Sequence, residues 1–267
     1  MKVSGKVIVV RGAGSGMGRG LVLELLQRGA RVAAVDLNGA ALDGTAALAA
    51  ASSASLACFT VDITERAAVE ALVPKVQERF GVVDGLINCA GIIQPFVKLI
   101  DLELSTIDRV FDVNFRGTLY MIKAFLPAFV QRPEAHIVNI SSMGGFLPVP
   151  GQTAYGSSKA AVKLLTEGLH AEMAGGPVRV TVVFPGAIDT NILQNSGVTL
   201  PSAAMQSQGA RPYPARSAAR DIIDGMERDA FRVLVGSDAK FLDALYRLAP
   251  KRATLFIASK MKQLLSS

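Results

Sequence analysis

The chain has 267 residues, is 50% apolar, carries a formal net charge of +6 and contains only two cysteines. That apolar content supports one sizeable core and excludes a disordered chain, while two cysteines exclude a disulfide-held scaffold. The basic residues lack interleaved aromatics or a nucleic-acid motif, so no nucleic-acid partner is expected.

Met1–Ser4 leads straight into an apolar run, with no leader-like segment. Together with Cys58 and Cys89 in apolar surroundings, this predicts a reduced, cytoplasmic setting. Lys6–Val10 reads as a strand, followed by the turn Gly12-Ala-Gly-Ser-Gly-Met-Gly18 and a helix over Gly18–Gln27. The spacing Gly12, Gly16, Gly18 departs from the G-x-G-x-x-G text, but the physics is shared. Glycines permit a tight turn and close backbone approach, and the following helix offers unpaired N–H groups to a pyrophosphate.

Arg31–Val35 is the second strand, closed by Asp36. A carboxylate there accepts both ribose hydroxyls and repels a 2′-phosphate, favouring NAD over NADP, and Leu37 stands where a phosphate-binding chain would place a cation. A turn-forming role for Asp36 is the competing reading. Arg11 is open between phosphate binding, pairing with Asp36 and pointing to solvent. The uncharged run Gly44–Val61 is rich in Ala, Ser and Thr and reads as a small-residue helix followed by a strand over Ser55–Val61, not as a membrane span.

Further on, strands are expected at Gly85–Asn88, His136–Ile140, Arg179–Phe184 and Phe231–Val235, and helices at Arg66–Arg79, Ser105–Val130 and Tyr155–Met173. Several strands are continuously apolar, as in sheets covered on both faces. The pattern predicts an α/β fold: one Rossmann-type doubly wound parallel sheet of about seven strands with helices on both faces. Residues 1–235 form this domain, including a substrate loop at 190–215. Ligands bind such sheets outside the strands' carboxyl ends.

Within Asn139–Lys163, Tyr155 and Lys159 are four residues apart on a helix, so their side chains share a face. An ammonium about 4 Å from a phenol is worth roughly 4 kcal/mol at an effective dielectric of 20. At about 1.36 kcal/mol per unit, that lowers the tyrosine pKa by about three units, towards 7. A general acid/base works best there. Ser142, at the end of the preceding strand, is placed to hydrogen-bond the same substrate oxygen. An ordinary solvated i,i+4 pair is the bland alternative for Tyr155 and Lys159.

Taken together, these motifs resemble the short-chain dehydrogenase/reductase family over about residues 3–235. By that resemblance, Gly12, Ser15, Gly16, Met17 and Gly18 form the cofactor turn, with Arg11 standing where the family usually has threonine. Asp62 and Ile63 lie near the adenine. Asn88-Cys-Ala-Gly91 matches the family's Asn-x-Ala-Gly segment, whose asparagine is mainly structural and whose Ala90 and Gly91 adjoin the cofactor. Asn114, Ser142, Tyr155 and Lys159 match the catalytic tetrad, and Asn114 otherwise reads as a buried polar residue interrupting its helix. Pro185, Gly186, Ile188 and Thr190 match the segment that holds the nicotinamide carboxamide.

The implied reaction is reversible hydride transfer between NAD(H) and a secondary alcohol or ketone. Tyr155 is its general acid/base, Ser142 orients the substrate oxygen, and Lys159 holds ribose hydroxyls. Alternatives are an NADPH-dependent ketone or 3-oxoacyl reductase and, in another class, a catalytically silent nucleotide-sensing or scaffold protein. No metal cluster is expected; His136 and His170 read as a strand and a helix residue. Ile93, Phe146, Leu147, Ile192 and Leu193 are expected to line the substrate site beside Ser142, which suits a hydrophobic steroid-like, terpenoid or long-chain compound. The stretch Thr190–Ala210 reads as a lid. A homo-oligomer, dimer or tetramer, is implied through the helices Ser105–Val130 and Tyr155–Met173. Residues 236–267 hold six cations against two acids, four of the six net charges, in two amphipathic helices broken by Pro250. This extension is expected to pack on its own domain, with weak contact to an anionic membrane surface as the alternative.

Overall fold

In the structure, a computed structural model that describes residues 1–199 and 212–261, strand β1 (Val7–Arg11) is buried along its whole length. Alternate side chains leave a strand on opposite faces. Val7 and Val9 accordingly pack with Phe125 and Phe129, whereas Ile8 and Val10 pack with Leu21, Leu25 and Ile222. One strand thus serves two apolar cores, one on each side of the sheet.

The chain continues through α1 (Gly16–Gln27), β2 (Arg31–Asp36), α2 (Gly39–Leu48), β3 (Leu56–Thr60), α3 (Arg66–Phe80) and β4 (Gly85–Asn88). Next come α4 (Leu104–Phe111), α5 (Gly117–Phe129), β5 (Ala135–Ile140), α6 (Thr153–Glu172) and β6 (Val178–Pro185). The short β7 (Ile188–Asp189) and α7 (Ile192–Ser196) follow, then β8 (Tyr213–Pro214), α8 (Ala215–Glu227), β9 (Arg232–Val235), α9 (Ser237–Leu248) and α10 (Pro250–Met261). Seven strands form one parallel sheet in the order β3-β2-β1-β4-β5-β6-β9. All seven expected strands are present, and their ends shift by at most one residue. The paired β7 and β8 are too short to leave a periodic signature.

The helix expected over Ser105–Val130 is divided. A π-helical turn at Asp112–Arg116 separates α4 from α5 and has the buried Asn114 within it. Pro250 opens α10, where a missing N–H costs no helical hydrogen bond. Leu242 of α9 and Ala253 of α10 bury against Leu147, while Phe241, Leu255 and the nearby Lys240, Lys251 and Arg252 stay exposed. Among the described residues no helix is long and apolar enough to cross a membrane.

His136 lies in the middle of the sheet, fully buried, with its Nε2 2.8 Å from Thr181 Oγ1. Thr181 donates its own proton to the Ala230 carbonyl, so the imidazole carries its hydrogen on Nε2. Burial, helped by the nearby N-terminal ammonium, pushes the His136 pKa down to about 3. An unfolded histidine takes up its proton near pH ~6.5. The folded chain therefore binds fewer protons between these values, and stability falls as pH drops through that window. Urea denaturation should show wild type losing about 2 kcal/mol between pH ~6.5 and ~5, a loss that His136→Gln largely removes.

Candidate active site

Because β1 leads outward to β2 on one side and pairs with β4 on the other, the loops at their carboxyl ends part and leave a cleft. Its volume is about 1050 Å³, and its floor carries Gly12, Ala90, Gly91, Ser142, Tyr155 and Lys159. Gly12 has φ +85° and lies so close to Ala90 that a Cβ would sit 2.6 Å from that residue's nitrogen. At Gly18 a Cβ would lie 1.8 Å from the Gly12 carbonyl. These positions admit glycine alone, which brings the bare turn against the first turn of α1. Ser15, at the N-cap, makes no side-chain cap and instead accepts a hydrogen bond from Asn195 (2.9 Å). The N–H groups of that turn thus have no competing cap, and the site suits a pyrophosphate.

Met17, Asp36, Leu37, Asp62, Ile63, Pro185, Gly186, Ile188 and Thr190 also line the cleft. Asp36 is held rigidly: its carboxylate accepts from the Gly14 N–H at 2.9 Å and the Asn38 N–H at 3.0 Å. The nearest cation on that lip, Arg19, spends its guanidinium on the Gly14 and Ala41 carbonyls and the Thr45 hydroxyl. Asp62 accepts from both the backbone and the hydroxyl of Thr64. Asn88 takes the structural place that the resemblance implies and not a place at the cofactor cleft. It is buried off the cleft, and its amide donates to Asn139 Oδ1 (2.9 Å), joining β4 to β5.

Ser142 and Tyr155 stand together on the cleft floor, near enough for the serine hydroxyl to act on the phenol's proton affinity. The Gly144 N–H occupies one lone pair of Ser142 (3.0 Å), leaving the hydroxyl proton free for the phenol oxygen. Lys159 is 3% exposed and donates to the Ile140 carbonyl at 3.0 Å. Its ammonium stands 6.0 Å from the centre of the Tyr155 ring. The expected lowering of the tyrosine pKa does not occur. Burial raises it, opposed only by the nearby Ser142 hydroxyl. Lys159 is the group that shifts downward, to about 8, through burial and the neighbouring cation Arg11.

Arg11 neither points to solvent nor pairs with Asp36. Its guanidinium is buried, donates to Thr118 Oγ1 (2.8 Å) and the Val113 carbonyl, and has its pKa pushed down to about 10 by burial. Thr118 in turn donates to the Asn114 carbonyl (2.7 Å), so Arg11 braces the π-helical turn from below. That turn aims the Asn114 amide at Ile92, whose N–H and carbonyl it meets at 2.9 Å each, and at Ser158 Oγ (3.0 Å). Gly91 passes so near that a Cβ there would be 3.0 Å from Lys159 Nζ.

Of the expected substrate wall, Ile93, Ile192, Leu193 and Ser142 line the cleft, joined by Ile92 and Phe96. Phe146 and Leu147 do not. Phe146 packs edge-on against Phe184 at 5.4 Å, and Leu147 is fully buried under α9 and α10. The expected lid Thr190–Ala210 is described only to residue 199, where α7 lies beside the cleft; residues 200–211, including Met205, lie outside the described residues. Sequence reasoning missed Asn195 and Ser158, and it missed Gln94. The signal for Gln94 is indirect: the N-cap of α6, Gln152, gives that helix no side-chain cap.

The family description of short chain dehydrogenases matches residues 6–200. The chain belongs to the short-chain dehydrogenase family. SadH of Mycobacterium tuberculosis, which carries the name of an oxidoreductase, is 39% identical over 254 residues, 91% of each chain. Among solved structures, a short-chain dehydrogenase/reductase of Burkholderia phymatum in complex with NAD superposes with a TM-score of 0.82 at 26% identity, covering 93% of this chain and 96% of its own. A short-chain dehydrogenase of Burkholderia cenocepacia in complex with NADP gives 0.81 at 27% identity, covering 96% and 99%.

In this dehydrogenase the buried Lys159 opposes folding. Below pH 8 both folded and unfolded chains are protonated at this residue and the full burial cost is felt. Above it the folded chain releases its proton first, so stability rises with pH. The rise ends near pH 9, where unfolded Cys89 ionises while burial holds the folded thiol at about 12. Lys159→Met should therefore gain about 1–2 kcal/mol at pH ~7, shrinking by pH ~9, while turnover is lost; denaturation at both pH values checks this.

Proposed function

We propose that this dehydrogenase moves a hydride between NAD(H) and a hydrophobic secondary alcohol or its ketone, with Tyr155 as general acid and base. What carries this reading is the meeting of Ser142, Tyr155 and Lys159 on the floor of one glycine-turned cleft, with Asn114 buried behind it and bonded to Ile92 of its wall. When bound, the dinucleotide supplies the hydride donor or acceptor at its nicotinamide. The Ser142 hydroxyl hydrogen-bonds the substrate oxygen and stabilises charge growing there. Tyr155, kept protonated by burial, is ready to give its proton to that oxygen in ketone reduction; alcohol oxidation needs the phenolate, whose share grows with pH. Lys159, with one proton on the Ile140 carbonyl, has two left to hold ribose hydroxyls.

Asp36 supports NAD as the partner nucleotide. Its carboxylate is fixed by two backbone N–H groups, Leu37 is exposed beside it, and Arg19 is occupied elsewhere. Ile92, Ile93, Phe96, Ile192 and Leu193 support an apolar substrate. A homo-oligomer fits the same reading, since Leu104 and Leu164 stand 76% and 69% exposed on α4 and α6.

Tyr155→Phe is expected to lower turnover by about 10²–10⁴-fold in either direction with coenzyme affinity unchanged. Stopped-flow absorbance of the nicotinamide and fluorescence titration measure the two quantities, and an undiminished rate would remove the proposal. In wild type, oxidation should accelerate with pH while reduction is favoured at neutrality. NAD should bind at least tenfold more tightly than NADP, about 1.4 kcal/mol, and Asp36→Ala should erase most of that difference. Tighter NADP binding by wild type would overturn the nucleotide assignment.

A further inference from the structure

The first turn of α6 presents backbone N–H groups that a helix cannot satisfy internally, and its N-cap residue Gln152 supplies no side-chain acceptor. The acceptor comes from sixty residues upstream. Gln94, fully buried in the loop after β4, places its Oε1 2.8 Å from the Ala154 nitrogen and 3.0 Å from that of Tyr155, accepting from both. Its Nε2 donates to the Gly151 carbonyl at 3.0 Å, and Gln152 Nε2 returns the contact by donating to the Gln94 carbonyl at 2.8 Å. Four hydrogen bonds thus clasp one loop to the start of α6, and the carboxamide is used as both donor and acceptor.

The two residues before Gln94 are engaged as well. Ile92 exchanges two hydrogen bonds with the Asn114 amide, and the Ile93 N–H donates to Ser196 Oγ of α7 at 2.9 Å. Ile92 and Ile93 also line the cleft. Three consecutive residues therefore meet, in turn, the π-helical turn, the short helix over the cleft and the helix that carries Tyr155.

We infer that Gln94 is a positioning residue: its carboxamide is the remote N-cap of α6 and fixes where the Tyr155 phenol stands relative to Ser142 and the cleft. The inference rests on the assignment of Tyr155 as acid and base, but it can be tested apart from that assignment. The chain has four tyrosines and no tryptophan, so tyrosinate absorbance near the red edge of the protein band reports phenol ionisation directly. Subtracting the titration of Tyr155→Phe isolates Tyr155.

Two variants separate positioning from general support. Gln94→Leu removes the cap, so the phenol loosens into solvent; its ionisation should move down, and kcat should fall tenfold or more with coenzyme Kd within twofold. Gln94→Glu keeps the acceptor for the Ala154 and Tyr155 N–H groups, gives up the donor to the Gly151 carbonyl and sets a carboxylate at the helix start beside Tyr155. It should retain most of kcat at its own optimum while phenol ionisation and the alkaline rise of oxidation both move up by half a pH unit or more. A merely structural role would move both variants in the same direction. Unchanged tyrosinate titrations and unchanged kcat in both variants overturn the inference. If Gln94→Leu does not fold, Gln94→Glu decides alone: an unmoved phenol overturns, a raised one supports. Should Tyr155→Phe prove fully active, the acid/base assignment falls, yet the phenol titrations still judge the role of Gln94.

Discussion

Two cations lie buried at the floor of this fold with no carboxylate to neutralise them. Arg11 rests on a threonine hydroxyl and a carbonyl, Lys159 on a single carbonyl, and neither forms an ion pair among the described residues. Neutral acceptors satisfy their hydrogen bonds without cancelling their charge, so the interior bears a positive field that costs stability. The buried Cys89 thiol lies within reach of both, and burial, which holds its pKa up to about 12, outweighs their pull on it. Under the proposed function, an anionic dinucleotide entering the cleft would bring counter-charge to this end of the sheet. Affinity and marginal stability are then two aspects of one arrangement, and binding stabilises the fold by mass action.

The same pair bears on the chemistry. Arg11 lowers the pKa of Lys159 and, through Val113 and Thr118, shapes the turn that aims Asn114. A residue at the end of the first strand therefore conditions two side chains more than a hundred positions away. π-helical turns of this kind are uncommon and tend to occur at functional sites. Here the turn has an identifiable brace.

Much of this was legible from the chain alone. The continuous apolar strands signalled a sheet covered on both sides, and Gly12, Gly16 and Gly18 between strand and helix signalled a phosphate-binding turn, because each signal is local. What escaped the sequence depends on partners far along the chain. Ser105–Val130 reads as one helix since nothing near Asn114 announces Arg11 beneath it. Phe146 and Leu147 follow Ser142 closely and are apolar, as a pocket wall would be, yet α9 and α10 claim them from a hundred residues away. Spacing also fixed which face of α6 carries Tyr155 and Lys159, but not the Ile140 carbonyl to which the ammonium is bonded. Local pattern selects the participants, and tertiary hydrogen bonds set their distances.

The short helix α7 is held to the cleft differently from the rest of the molecule. None of its residues is buried; Asn195 reaches Ser15 and Ser196 reaches Ile93, each through one polar contact. A net hydrogen bond is worth about 0.5–1.5 kcal/mol, so two of them restrain the helix by only about 1–3 kcal/mol. Thermal energy breaks such a latch on the order of once in ten to a hundred sampled conformations. This border of the cleft is thus fastened lightly, by a pair of small polar side chains where the rest of the wall is held by packing.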